Sequence, residues 1–340
     1  MKITVMILLI LSSFLSACGN QAVESTQGEV THFKIVATTT QASDIARILT
    51  KGVPEERFTI VGLMGPGIDP HLYKPKESDI YAMNTADMIV SMGLHLEGKF
   101  GTVLETLIEQ GTSVVTLSEP VLNSGFAFID GDGVADPHFW FDPRNWQLVS
   151  THLANNLAKL DPENADLFLE NAKNYNEQLG LLFNWAYQAM QNVPEQQRFL
   201  VTSHDAFQYF GSSLGWKMKS IQGLSTKDEA GVGDIQSTVS FILEHKIPVM
   251  FIESTIPIDT VEAVQAGVRA AGGKIESGVH GLYSDAMGDL DSFGGTYIGM
   301  FVSNVYIILQ SYKQAGMAIE IPEWDSNILL RPPDDLIHSE

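Results

Sequence analysis

Asp161-Pro-Glu-Asn-Ala-Asp-Leu-Phe-Leu-Glu-Asn-Ala-Lys-Asn-Tyr-Asn-Glu-Gln-Leu-Gly-Leu-Leu-Phe-Asn-Trp-Ala-Tyr-Gln-Ala-Met-Gln191 reads, after its opening Asp-Pro, as one uninterrupted helix. Its apolar residues Phe168, Ala172, Tyr175, Leu179, Leu182, Ala186 and Met190 step by three or four and so share one face. No glycine interrupts it before Gly180. About 30 residues at 1.5 Å each reach roughly 45 Å, enough to cross two globular bodies. The stretch therefore predicts a stiff strut with a folded lobe on either side.

On both sides of the strut, strand and helix alternate. Before it, strands are expected at 34–39, 58–64, 88–92 and 113–117, with helices at 41–50, 76–84, 100–110 and 143–160. Asp142 is placed to cap the last of these helices and Pro143 fits its first position. After the strut, strands at 199–203 and 249–253 are interleaved with helices at 234–245, 259–271 and 301–315. Such alternation implies parallel sheets covered by helices. The expected fold is α/β: two lobes, each a mainly parallel sheet flanked by helices, joined by one long rigid helix. The expected boundaries are 33–160 for the N-terminal lobe, 161–192 for the linking helix and 193–318 for the C-terminal lobe, with 319–340 a loosely held tail.

The start of the chain carries an export signature. Lys2 is followed by an apolar run from Ile3 to Phe14 that is too short to span a bilayer, and then by Leu15-Ser-Ala-Cys18. Residues 1–17 read as a signal peptide and 18–32 as a flexible tether. Leu-Ser-Ala-Cys resembles a bacterial lipobox, which makes Cys18 the expected lipidation site and first mature residue. It is the only cysteine of 340 residues, so no internal disulfide can form. The net charge of −21, without a basic patch, argues against nucleic acid as a partner.

Asp-Pro-His occurs twice, as Asp69-Pro-His71 and Asp136-Pro-His138, each followed by bulky residues (Leu72-Tyr73 and Phe139-Trp140-Phe141). A third histidine stands in Thr202-Ser-His204-Asp and a lone aspartate in Leu282-Tyr-Ser-Asp285. Histidines and a carboxylate brought together at the carboxyl ends of parallel strands would form a site for a first-row divalent ion. The intervening prolines stiffen the approach to His71 and His138, and Asp69 and Asp136 read as structural residues, with orientation of the loop or the imidazole as the other reading. Glu253, ending an expected strand, reads as a cleft or hydrogen-bonding carboxylate. His95 follows an expected strand and could face the cleft but pairs with no other ligand, and His280, five residues before Asp285, is placed for the lip of the site, although an ordinary surface role is favoured. His32, His152, His245 and His338 read as ordinary tether, helix or tail residues.

Gly67-Ile-Asp-Pro-His71-Leu-Tyr-Lys-Pro, Asp136-Pro-His138-Phe-Trp-Phe-Asp-Pro, Thr202-Ser-His204-Asp-Ala-Phe-Gln-Tyr-Phe and Leu282-Tyr-Ser-Asp285-Ala-Met-Gly resemble, in this order, the metal-binding lipoproteins of bacterial zinc and manganese ABC importers. The similarity runs from Phe33 to Gly316 and includes the long helix. It implies two α/β lobes with one zinc or manganese ion between them, held by His71, His138, His204 and Asp285. It also implies a monomer, lipid-anchored on the outer face of the cell membrane or in the periplasm, that delivers the ion to a membrane permease with its cytoplasmic ATPase. Some manganese-binding members carry glutamate where His204 stands, and many zinc-specific members carry a histidine-rich loop that 121–137 lacks. Ser225-Thr-Lys-Asp-Glu-Ala-Gly231 looks more like the manganese or mixed-specificity branch. The competing readings are an exported zinc hydrolase and a metal-stabilised surface adhesin. A hydrolase would need a ligand position open to water; the chain has no His-Glu-x-x-His, and Ser203 beside His204 lacks the Gly-x-Ser-x-Gly elbow. No enzymatic activity is therefore expected.

Overall fold

Residues 31–129 and 133–333 are described by a computed structural model of the protein. The signal peptide 1–17, Cys18 and all but the end of the tether lie outside these residues, as does His338.

Strands β1 (Phe33–Ala37), β2 (Phe58–Gly62), β3 (Met88–Ser91) and β4 (Ser113–Thr116) form a sheet ordered β2-β1-β3-β4, parallel throughout. Helices α1 (Thr40–Leu49), α2 (Glu77–Asn84) and α3 (Gly101–Glu109) return the chain between these strands. In the second lobe β5 (Phe199–Thr202) pairs with β6 (Lys217–Ser220), and β7 (Val249–Met250) with β8 (Glu276–Ser277), again in parallel. A hydrogen bond from Phe251 N–H to Val201 O (2.8 Å) joins the two pairs, so this lobe repeats the order of the first. In both lobes the chain therefore changes direction beside its central strand, where α/β sheets open a crevice at the carboxyl ends of their strands.

The linking stretch behaves as its periodicity predicts. After a 3-10 turn at Pro162–Asn164, helix α6 runs from Ala165 to Met190. All seven residues of the expected face are buried. Before it, α4 (Glu119–Ser124) and α5 (Pro143–Leu160) close the first lobe, and Asp142 caps α5 by accepting the Arg144 N–H (2.9 Å). The second lobe adds α7 (Gln208–Leu214), α8 (Val232–His245), α9 (Asp259–Ala270) and α10 (Tyr297–Gln314). Helix α10 is buried along its whole length from Tyr297 to Tyr312, as suits a helix apolar on every side. One continuous core takes in Ile35 of β1, Leu200 of β5, the inner face of α6 and most of α10, so the lobes share their interior.

The stretch expected as a loose tail differs. As far as Leu329 it lies against α6 and the turn that follows it: Trp185 Nε1 donates to Glu323 O (3.1 Å), Asn192 Nδ2 to Glu320 O (3.1 Å), Leu329 N–H to Gln178 Oε1 (2.8 Å), and Ile328 is buried. Its few apolar side chains find the groove that α6 leaves, which its polar composition did not disclose. No helix among the described residues is long and apolar enough to cross a membrane.

Candidate metal centre

Each Asp-Pro-His builds the same local turn. Asp69 Oδ1 accepts the N–H of His71 (2.8 Å), and Asp136 Oδ1 accepts that of His138 (2.9 Å). An aspartate bonded to the backbone two residues on fixes the turn, and the intervening proline holds it. The first turn lies between β2 and α2, the second just before α5. His204 follows β5 by two residues, and Asp285 lies beyond the Glu253–Leu282 bridge that prolongs β7. Four segments distant in sequence thus converge at the carboxyl ends of the strands.

The structure brings His71, His138, His204 and Asp285 together, with one potential ligand atom from each lying within 4.8 Å of all the others. All four side chains are buried. His138 Nε2 and His204 Nε2 each stand 3.3 Å from an Asp285 oxygen, and His71 Nε2 stands 3.4 Å from His138 Nε2. Ligands about 2.0–2.1 Å from a tetrahedral ion lie roughly 3.3–3.4 Å from one another, so these three separations match the edge of such a shell. His204 Nε2 and both Asp285 oxygens are buried without completing a hydrogen bond. Unsatisfied donors and acceptors are expensive in a protein interior, and a divalent cation among them would satisfy the whole set.

Carboxylates behind two of the imidazoles fix which nitrogen faces inward. Asp136 Oδ1 lies 2.8 Å from His138 Nδ1, and Glu253 Oε2 lies 2.5 Å from His204 Nδ1, while Glu253 Oε1 accepts the His204 N–H (2.8 Å). Each Nδ1 is thereby engaged and each Nε2 left for an ion. Burial alone would lower the pKa of His138, but the Asp136 and Asp285 carboxylates outweigh it and raise it to about 9. His204 is likewise lifted well above its ordinary value, because Glu253 and Asp285 prevail over burial. At Asp285 burial is overcome in the other direction by the His204 and His138 rings, which hold the carboxyl well below its usual range. Burial takes His71 down to about 3.

Trp140 walls the cluster, its ring 5.2 Å from that of His138, and Phe139 and Phe141 are buried beside it. Tyr73 instead stacks on Phe100 and donates to Asp79 (2.8 Å). His95 and His280 are exposed and stand outside the group. His32 bonds Glu56 O, His152 approaches Glu119 and His245 stacks on Phe199. A cleft of about 1460 Å³ lined by Trp185, His280 and Gln310 has none of the four residues in its wall, so volume does not locate the chemistry. Gln41 was not foreseen: from α1 its Nε2 donates to the backbone carbonyl of Asp285 (3.0 Å), a long-range contact with no local signal in the sequence.

The family model described as "Zinc-uptake complex component A periplasmic" matches residues 35–311. The chain is 36% identical over 299 residues to the "Manganese-binding lipoprotein MntA" of Bacillus subtilis, covering 88% of this chain and 95% of that protein. It is 38% identical over 259 residues to the "Zinc-binding protein TroA" of Treponema pallidum, covering 76% and 83%. The solved structure of the periplasmic zinc-binding protein TroA from Treponema pallidum superposes with a TM-score of 0.78 at 36% identity, over 82% of this chain and 99% of that one.

Proposed function

Because the chain belongs to the zinc-uptake complex component A family, we propose that it captures a zinc or manganese ion outside the cytoplasm and hands it to an ABC-type import permease. The observation that carries this reading is the convergence of three imidazoles and one carboxylate, all buried, with His204 Nε2 and both Asp285 oxygens left unsatisfied, from segments on both sides of α6. We assign His71, His138, His204 and Asp285 as the ligands of a single ion. Asp136 and Glu253 orient two of them, and the aromatic wall excludes water.

Four protein ligands close a tetrahedral shell and leave no position for the water that a hydrolytic zinc activates, so the proposed role is capture and not catalysis. The hydrolase and adhesin readings find no support in the comparisons. Delivery implies a membrane permease with its cytoplasmic ATPase as partners. The proposal includes a monomer tethered through lipidated Cys18; a bilayer holds multiple acyl chains firmly and a single one only marginally.

Zinc should bind more tightly than manganese in vitro, since the Irving–Williams order favours it at a nitrogen-rich site. The relatives divide between the two metals, and availability and handover also select the cargo. Growth of a deletion strain in chelated medium tests the function directly. Rescue by zinc or manganese that requires the intact gene supports import; rescue by iron alone would defeat both.

A further inference from the structure

His71 differs from the other two imidazoles. Among the described residues its ring has no carboxylate behind Nδ1, and the segment is held through its backbone, by Asp69 Oδ1 accepting the His71 N–H. The other oxygen of Asp69 accepts a 2.6 Å hydrogen bond from Thr226 Oγ1, which belongs to the opposite lobe. Thr226 is buried, although 227–229, immediately after it, are exposed.

The loop that carries Thr226 is rooted on another ligand segment. Gln222 N–H donates to Ser203 O (2.9 Å) and Asp205 N–H to Gly223 O (3.2 Å), on either side of His204. Its far side rests on the first lobe a second time: Lys227 lies so close to Gly98 that a Cβ there would stand 2.6 Å from Nζ. The turn leading to Gly98 is a fixed one. Gly93, Leu94 and His95 all have positive φ (87°, 54° and 62°), a conformation that leucine and histidine rarely adopt. Glu97 holds it by accepting the N–H of Met92 (2.7 Å) and of Gly93 (3.1 Å).

Resting on the ligand assignment above, we infer that residues 222–231 form a latch across the metal centre, closed by the Thr226–Asp69 hydrogen bond. Asp69 is then a positioning residue that transmits closure to His71, and the latch sets how fast the ion leaves without supplying a ligand. The exposed side of the loop lets an outside contact lift it with the buried core intact.

Release of zinc into excess chelator, followed by stopped flow, tests the latch. Thr226→Val keeps the shape and removes the donor. It should bind one zinc as the parent does but release it on the order of tenfold faster, as loss of a hydrogen bond to a charged acceptor implies. Thr226→Ser should release at the parent rate. Asp69→Ala should also release faster, and the double variant Asp69→Ala/Thr226→Val no faster than Asp69→Ala alone. Parent-like release from Thr226→Val, fast release from Thr226→Ser, or additive effects in the double variant would each overturn the latch alone. A parent protein that binds no zinc would overturn the ligand assignment and the latch with it.

Discussion

Asp136 and Glu253 each hold the outward nitrogen of an imidazole, which makes the opposite nitrogen a better and better-aimed donor. Glu253→Gln should weaken zinc binding by about 10–100-fold while leaving the stoichiometry at one. Calorimetric titration of the variant checks it, and parent-like affinity would count against the orienting role. Proton balance follows from the same carboxylates. With His138 raised to about 9 and His204 held well above its ordinary value, both rings carry protons at neutral pH in the metal-free protein. An entering divalent ion replaces those two positive charges, so about two protons should be released per ion at pH 7, and affinity should rise as pH climbs toward 9. Titration in buffers of different ionisation enthalpy reads this count. The metal-free fold has the opposite dependence: the stabilisation from His138 is complete below its unfolded value near 6.5 and fades as pH rises through about 9. At this scale the sequence was informative wherever a motif repeats, as in the two Asp-Pro-His turns. The contacts of Gln41 and Thr226 with Asp285 and Asp69 escaped it because each pair is more than 150 residues apart.

Among the elements, the long amphipathic helices were the most legible, because α6 places every expected apolar residue inside. Leu179→Ala, at the centre of that face, should cost about 2–5 kcal/mol in denaturant unfolding of the metal-free protein, through lost burial and the cavity left behind. The short edge strands β6 and β8 of the second lobe were not legible. Lys217-Met-Lys-Ser forms β6 although two of its four residues are lysines, charges that suit a sheet edge and hide it from a search for apolar runs. The strand expected at 249–253 is a regular strand only over Val249–Met250, and beyond it the pairing is carried on by the Phe251 N–H to Val201 O bond and by the isolated Glu253–Leu282 bridge. Helix α10 begins at Tyr297, a turn before the expected 301, because Thr296 caps it by accepting the Gly299 N–H (3.1 Å). A Cβ at Gly299 would stand 1.7 Å from Phe293 O. Gly299→Ala should therefore lower the melting temperature, although alanine is the better helix former.

For the whole molecule the shared core decides how far the lobes can move. A hinge would have to break the packing of α6 and α10 against residues of both sheets, so ion capture should proceed by local rearrangement. Small-angle scattering curves of metal-free and metal-loaded protein should nearly coincide, and a large contraction on loading would reveal a flexible hinge. The central claim is that one ion is held jointly by His71, His138, His204 and Asp285, two preceding α6 and two following it. Equilibrium dialysis with zinc and with manganese, on the parent protein and on the four single alanine variants, tests it most directly. The account predicts one ion per chain in the parent and strongly weakened binding in every variant; unchanged affinity in two of the four, or a second equivalent bound as tightly, would contradict it.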